Sequence, residues 1–357
     1  MGEQRSGSLH QVRPIYINGR FLTQPLSGVQ RFASEITSAL VQRDPDRIVV
    51  LGPPGAAERS SGAREIGRRK GQYWEQIELP DHAADGLLIN LGNIAPLRLR
   101  EQIVVVHDAG VFSTPEAYSR RFRTWYKVVQ NLLLRRGARV VTVSEFSRGE
   151  IARNFGVDEK RIAVISEGAD HMAHIIPDVG ILGRLSPGSF VLAVGNLAAH
   201  KNLPALSALA LRLSARGMQL VITGGLPAGS FNATGARALP QPACYVGRVS
   251  DGELKALYEA ASCLVFPSRY EGFGLPAIEA MACGCPVAVS HVAGLRETCG
   301  PSALYFDPMS PKDIADQVCR LLDDTPLRDH LRATATDWIR PFTWNRAAAQ
   351  LAEVAEI

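Results

Sequence analysis

The chain of 357 residues has no cysteine before Cys244. Its six cysteines (Cys244, Cys263, Cys283, Cys285, Cys299 and Cys319) form no Cys-x-x-Cys pair. The single residue between Cys283 and Cys285 does not suit zinc, so neither a zinc ribbon nor a disulfide framework is expected. They read as small apolar core residues in a reducing compartment. No apolar run approaches the ~18 residues of a membrane-spanning helix. The opening MGEQRSGSLHQVRP lacks the apolar stretch of a secretory signal. A cytoplasmic chain is expected, with surface contact at the inner membrane face open to it. Basic residues are not interleaved with aromatics as in a nucleic-acid module, so no nucleic-acid partner is expected. Asp-x-Asp occurs once, as Asp44-Pro45-Asp46 ahead of a strand, and reads as a turn. No other metal-ligating constellation appears, so no metal is expected.

The composition is 46% hydrophobic and 21% charged, which is ordinary for a soluble globular chain. At roughly 100–200 residues per domain, the length suggests two domains. The net charge of +4 is uneven. Up to Pro177 there are 24 Lys+Arg against 19 Asp+Glu, and beyond it 15 against 16. Arg120, Arg121, Arg123, Lys127, Arg135, Arg136 and Arg139 cluster in the basic half. Such a patch is a solvated helix face, or it attracts a membrane surface or an acidic substrate.

Short apolar runs rich in β-branched residues recur, each followed by a helix-like stretch. In the first half they are Ile15–Asn18, Ile48–Leu51, Leu87–Asn90, Ile103–His107, Val140–Ser144 and Ile162–Ser166. In the second they are Phe190–Val194, Gln219–Thr223, Cys244–Val246, Cys263–Pro267, Pro286–Ser290 and Leu304–Phe306. Continuous apolar runs suit strands covered on both faces, and alternation with helices implies parallel βαβ units. The fold class is therefore α/β, with two doubly wound Rossmann-like domains. The stretch HIIPDVGILGRLSPGS reads as the linker between them. The segment from Gly52 to Gly71, rich in Gly, Ser and Arg, is expected to be a mobile loop. Trp344–Glu356 carries apolar positions on one face and is expected to cross back onto the first domain. Ligands of such sheets sit at the carboxyl ends of the strands, which here would face a shared cleft.

The most informative segment is CLVFPSRYEGFGLPAIEAMACGCPVAVS. A strand ends near Pro267, a loop Glu271-Gly272-Phe273-Gly274-Leu275 follows, and a helix opens near Pro276 and ends at Gly284. Free N–H groups and the dipole at a helix start favour a phosphate, and glycines let the backbone approach it. Glu271 and Glu279 would repel phosphate, so they should face sugar or ribose hydroxyls. Phosphate contacts beside hydroxyl contacts suggest a nucleotide sugar.

The stretch PSRYEGFGLPAIEAMACGCPV resembles, along its whole length, the Glu-x7-Glu motif of retaining glycosyltransferases of the GT-B fold, family 4. The resemblance implies that Glu271 contacts donor-sugar hydroxyls and Glu279 the ribose. It puts the backbone of Gly272, Phe273, Gly274 and Leu275 near the diphosphate. VLAVGNLAAHKNL is similar to the family's phosphate-gripping segment, with Lys201 matching. The family's Arg is absent: Asn196 follows Gly195 and His200 precedes Lys201. Either Lys201 works with Arg269 or another Arg, or the grip is weak. YVGRVSDGELKALYEAASCLVFPS implies nucleobase contact at Arg248 and Val249, or a structural turn there. PLSGVQRFASEI resembles the glycine loop approaching the donor from the acceptor side, at Gly28 and Val29, with Gln30 and Arg31 beginning the next helix. IVVVHDAGVF puts His107 and Asp108 at a strand end; the resemblance implies a His there near the reacting centre, and a His buried for packing is the alternative. In VVTVSEFSRGEIARNFGV, Ser144, Glu145, Ser147 and Arg148 lie at a strand end and helix start, with Ser147 expected to cap the helix. Gly168 and Asp170 resemble the domain exit. Trp344 in PFTWNRAAAQLAEV reads as structural.

The resemblance thus implies an acceptor domain over 1–177, rejoined by a helix in 341–357, and a donor domain over 178–340. The reaction would be metal-independent, retaining transfer to a glycan or lipid-linked acceptor, with Glu271, His107 and Lys201 as the catalytic set. GDP-mannose is favoured as donor over dTDP-rhamnose and UDP-sugars. A sugar-nucleotide epimerase, a pyridoxal-phosphate phosphorylase and a non-catalytic binding module share the architecture. For the phosphorylase, this sequence offers no lysine in a matching setting.

Overall fold

The computed structural model describes residues 13–183, 185–225 and 239–356. Residues 1–12 of the N-terminal stretch read above, Arg184 of the linker and Ile357 lie outside them.

Two parallel sheets form the framework. The first is built from β1 (Ile15–Asn18), β2 (Ile48–Gly52), β3 (Ala63–Glu65), β4 (Leu87–Asn90), β5 (Gln102–Val105), β6 (Arg139–Thr142) and β7 (Ile162–Val164). Its order is β3-β2-β1-β4-β5-β6-β7. The second comprises β8 (Phe190–Val194), β9 (Gln219–Thr223), β10 (Cys244–Gly247), β11 (Cys263–Phe266), β12 (Val287–Ser290) and β13 (Ala303–Phe306). Its order is β10-β9-β8-β11-β12-β13. Both sheets have a doubly wound Rossmann-like order, and each reverses direction beside its first strand. That switch point opens a crevice at the carboxyl ends of the strands. β1, β4, β5, β11 and β12 are buried along their whole length, as expected of strands covered by helices on both faces.

All twelve expected strands are present, with ends displaced by two residues or fewer. The thirteenth, β3, lies in the Gly52–Gly71 segment, which is not the mobile loop expected. Ala63 and Ile66 are buried, and β3 pairs with β2 in parallel. Glu65 accepts the N–H groups of Gly55 and Ala57 at 2.9 Å. Glu78 accepts those of Arg68 and Arg69 at 3.0 Å. Polar, glycine-rich composition hid these backbone-to-carboxylate bonds.

The helix Trp344–Ala355 packs on the helix Gly28–Arg43 and buries Trp344, Ala347, Ala348, Leu351 and Ala352 in the core of the first sheet. Phe273, Leu275 and Ile278 join that same core from the second sheet's side. The cysteines are free; Cys263, Cys285, Cys299 and Cys319 are buried. Burial pushes the thiols of Cys263 and Cys299 up to about 12, which keeps them protonated packing groups.

Candidate functional site

The loop Glu271–Gly274 leaves β11 and enters the helix Leu275–Ala282. Gly274 caps that helix at φ +94°, a left-handed conformation, and a Cβ there would lie 2.4 Å from Leu295 Cδ2. A Cβ at Gly294 would lie 2.1 Å from the carbonyl oxygen of Glu271, so the loop is seated tightly on the helix Ala293–Cys299. The Phe273 ring anchors it, buried edge-on against Phe342 at 5.8 Å. The loop's shape is therefore set by packing before any ligand arrives. The N–H groups at the start of the helix have no side-chain cap.

Glu271 and Lys201 meet in this loop. Lys201 Nζ donates to Glu271 Oε1 at 2.6 Å and lies 5.2 Å from the centre of the Phe266 ring. Lys201 comes from the turn Ala199–Lys201, fixed by Asn202. Asn202 adopts φ +56° and donates from Nδ2 to the carbonyls of Pro267 and Pro308, at 3.1 and 2.8 Å. Arg269 joins the same turn: its backbone N–H donates to His200 O, and its Nε donates to Asn202 Oδ1 at 3.1 Å. Asn196 Oδ1 accepts the Ala198 N–H at 3.3 Å, a local turn role. Burial, with help from the Lys201 charge, pushes the His200 imidazole down to about 4, so it stays neutral near pH 7. The turn thus sets the Lys201 Nζ beside Glu271 and holds Arg269 through the neighbouring Asn202.

His107 and Asp108 face this loop from the first sheet. A Cβ at Gly272 would lie 2.8 Å from His107 O and 2.9 Å from Asp108 Cβ. The His107 ring itself points back into its own domain. Nε2 lies 3.0 Å from Leu91 O, Nδ1 lies 3.5 Å from Glu167 Oε1, and Phe32 packs edge-on at 4.8 Å. The Leu91 carbonyl is an acceptor for an Nε2 proton and Glu167 faces Nδ1, so the ring ties the strand end to its own domain. Asp108 is half-buried and accepts the Gly110 N–H at 2.7 Å. Its carboxyl is pushed up, chiefly by desolvation and further by the charge of Glu271, against the Gly110 N–H, His107 and Lys201.

Glu279 is only 5% exposed. Oε2 accepts from the Tyr258 hydroxyl at 3.1 Å, and Oε1 lies 3.2 Å from His171 Nε2. Each carboxylate oxygen thus already has one partner and keeps further lone pairs. Glu167, His171 and Tyr258 were not legible as site residues. Their only sequence signals are carboxylate and imidazole positions beside Gly168 and a tyrosine within a capped helix.

The two halves touch around this loop. Ser144 Oγ donates to Gly272 O at 2.6 Å, and Ala109 N–H donates to the Tyr270 hydroxyl oxygen at 3.1 Å. Ser144 rather than Ser147 caps the helix Glu145–Phe155, because Ser144 has the extended backbone that aims its hydroxyl at the Ser147 N–H. Ser147 Oγ instead reaches Gly272 O at 3.4 Å. Arg148 pairs with Glu145. Gly28 and Val29 begin the helix Gly28–Arg43 on the far side of the cleft, with open space over Gly28. Arg248 Nη1 donates to Leu26 O at 3.1 Å, and Arg31 pairs with Asp251. The glycine loop and the Arg248–Val249 turn thus face each other. Asp44 and Asp46 lie before β2, at the opposite end of the sheet. A cavity of about 470 Å³ also lies at that end, lined by Arg13, Arg47, Arg100 and Arg139 with Glu101 and Glu356. It is remote from the glycine loops and the Lys201–Glu271 pair, which mark the site.

Among the described residues no group of three or more His, Cys, Asp or Glu could hold a metal ion, and no helix is long and apolar enough to cross a membrane.

Residues 181–338 match the family described as glycosyl transferases group 1, and residues 82–172 match glycosyltransferase family 4. The chain is 30% identical over 292 residues to O-antigen chain mannosyltransferase B of Escherichia coli, covering 78% of this chain and 75% of that one. It is 30% identical over 217 residues to O-antigen chain mannosyltransferase RfbU of Salmonella typhimurium, covering 60% of this chain and 59% of that one. Sucrose-phosphate synthase from Thermosynechococcus elongatus has a similar structure, with a TM-score of 0.75 at 21% identity over 96% of this chain and 98% of that one.

Proposed function

The chain belongs to the group 1, family 4 glycosyltransferases and has the GT-B fold, and we propose that it moves a mannosyl unit from GDP-mannose to a hydroxyl of a glycan or lipid-linked acceptor in polysaccharide assembly. Two mannosyltransferase relatives support this donor over dTDP-rhamnose and UDP-sugars. The observation that carries the reading is the Lys201–Glu271 pair, 2.6 Å apart, beside an uncapped helix start.

In this reading the bond from the anomeric carbon to the diphosphate oxygen breaks, and the acceptor oxygen bonds to that carbon on the same face. The acceptor's proton passes to the leaving diphosphate, so no enzyme base is needed. An ammonium has three donors, and Glu271 uses one, which leaves two for phosphate oxygens. Lys201 thus bridges the carboxylate that reads the sugar and the phosphate that departs. The helix N–H groups complete the charge stabilisation, worth about 3–4 kcal/mol for one well-placed donor. Gly28 and Val29 approach from the acceptor side, Arg248 and Val249 lie by the nucleobase, and no metal takes part.

On the acceptor side, the helix Arg120–Arg135 turns an apolar stripe outward. Trp125 is 42% and Val128 48% exposed, Leu132 continues the line, and Arg121 and Arg135 flank it. Such a face suits the boundary of an anionic membrane, where a lipid-linked acceptor would reside.

The test is turnover of GDP-mannose with a glycan acceptor, with the product's anomeric configuration read by NMR. An α-linked product is expected. A β-linked product removes retention, and an epimerised donor without acceptor favours the epimerase.

A further inference from the structure

We infer that His171 is a positioning residue that orients the Glu279 carboxylate for the ribose, with its tautomer set by the indole N–H of Trp344 on the returning C-terminal helix. This rests on the reading of Glu279 as the ribose contact.

His171 is buried within the turn Asp170–His174. Trp344 Nε1–H donates to His171 Nδ1 at 3.0 Å. An indole nitrogen can only donate, so Nδ1 must be the unprotonated nitrogen. The ring proton is therefore on Nε2, where it donates to Glu279 Oε1 at 3.2 Å. Tyr258 donates to the other oxygen at 3.1 Å. One fixed donor on each oxygen sets the carboxylate plane and leaves the remaining lone pairs in fixed directions. A similar arrangement holds metal-ligating histidines, whose second nitrogen is oriented by a partner outside the site.

Trp344 is itself held closely. Its backbone N–H donates to Asp170 Oδ1 at 2.9 Å, and its ring meets Phe32 edge-on at 5.9 Å. A Cβ at Gly168 would lie 2.5 Å from Trp344 N, so Gly168 admits the tryptophan. The chain Trp344–His171–Glu279 thus runs from the C-terminal helix to the donor side through two hydrogen bonds.

The experiment measures binding of GDP and UDP, each against its 2′,3′-dideoxy form, to the full chain. Wild type should prefer the ribose form of the tighter nucleotide by at least tenfold. His171→Phe should bring that ratio near one, with affinity for the dideoxy form unchanged. His171→Gln, which offers an acceptor and a donor on one planar group, should restore most of the ratio. Trp344→Phe keeps the ring packing and removes only the N–H, so it should lower the ratio about threefold. If Glu279→Gln loses the preference while His171→Phe and Trp344→Phe keep it, the positioning role is wrong and the ribose reading stands. If Glu279→Gln keeps the preference, the ribose reading fails and this inference with it.

Discussion

A methyl group at position 272 would lie 2.8 Å from His107 O and 3.0 Å from Ser147 Oγ. Gly272→Ala should therefore push the halves of the site apart while leaving each core intact. A fall in kcat/KM of tenfold or more, with little change in melting temperature, is expected; unchanged kinetics would mean that this approach is not needed. Asp108 makes a prediction in pH. Its folded carboxyl is raised above the ordinary 3.8, chiefly by desolvation, so the native state holds the proton more tightly than the unfolded chain. That stabilisation is complete below the ordinary value and is lost as pH rises through the raised one. Asp108→Asn keeps an acceptor for the Gly110 N–H and does not titrate. Melting curves from acid to neutral pH should show wild type losing stability relative to the variant, and parallel curves would contradict the assignment. At this scale the sequence revealed residues whose chemistry sits in a motif, such as Lys201 and Glu271. It did not reveal Glu167, His171 or Tyr258, because their partners lie at least 21 and as many as 173 positions away.

The helix Glu145–Phe155 is capped twice, once from its own chain neighbourhood by Ser144 and once from the other domain. Glu297 accepts the N–H groups of Glu145 and Phe146 at 2.7 and 2.8 Å. A carboxylate on free N–H groups at a helix start contributes about 1 kcal/mol, here toward domain approach rather than folding. Glu297→Ala should open the molecule, seen as a larger radius of gyration in solution scattering; an unchanged radius would show that the cap adds nothing. The helix Arg120–Arg135 carries the second prediction at this scale. Trp125→Ala with Val128→Ser should reduce sedimentation with phosphatidylglycerol vesicles several-fold and leave soluble turnover unchanged. Strands and helices were legible because burial on both faces imposes apolar runs, as in Val104–Val106 and Leu264–Phe266. The short strand β3 was not, since it is held by Glu65 and Glu78 accepting backbone N–H groups across a polar segment.

The whole molecule places the Glu271–Gly274 loop where two sheets and one returning helix meet. Phe273 and Trp344 share a core with Phe32, although they belong to different parts of the chain. The alternation of strands and helices made the pair of parallel sheets legible. It said nothing of how closely they approach, which depends on contacts such as Arg31–Asp251 and Ser144–Gly272. Arg269 sits at the Lys201 turn, anchored by Asn202, a placement that the alternation of strands and helices did not reveal. The central claim is that Lys201 and Glu271 together hold a nucleotide sugar for transfer. It is tested most directly by turnover of GDP-mannose, dTDP-rhamnose and UDP-glucose by wild type, Lys201→Ala and Glu271→Gln. The account predicts turnover of one donor by wild type and a loss of roughly 100-fold or more in each variant. Wild-type turnover in both variants would contradict it.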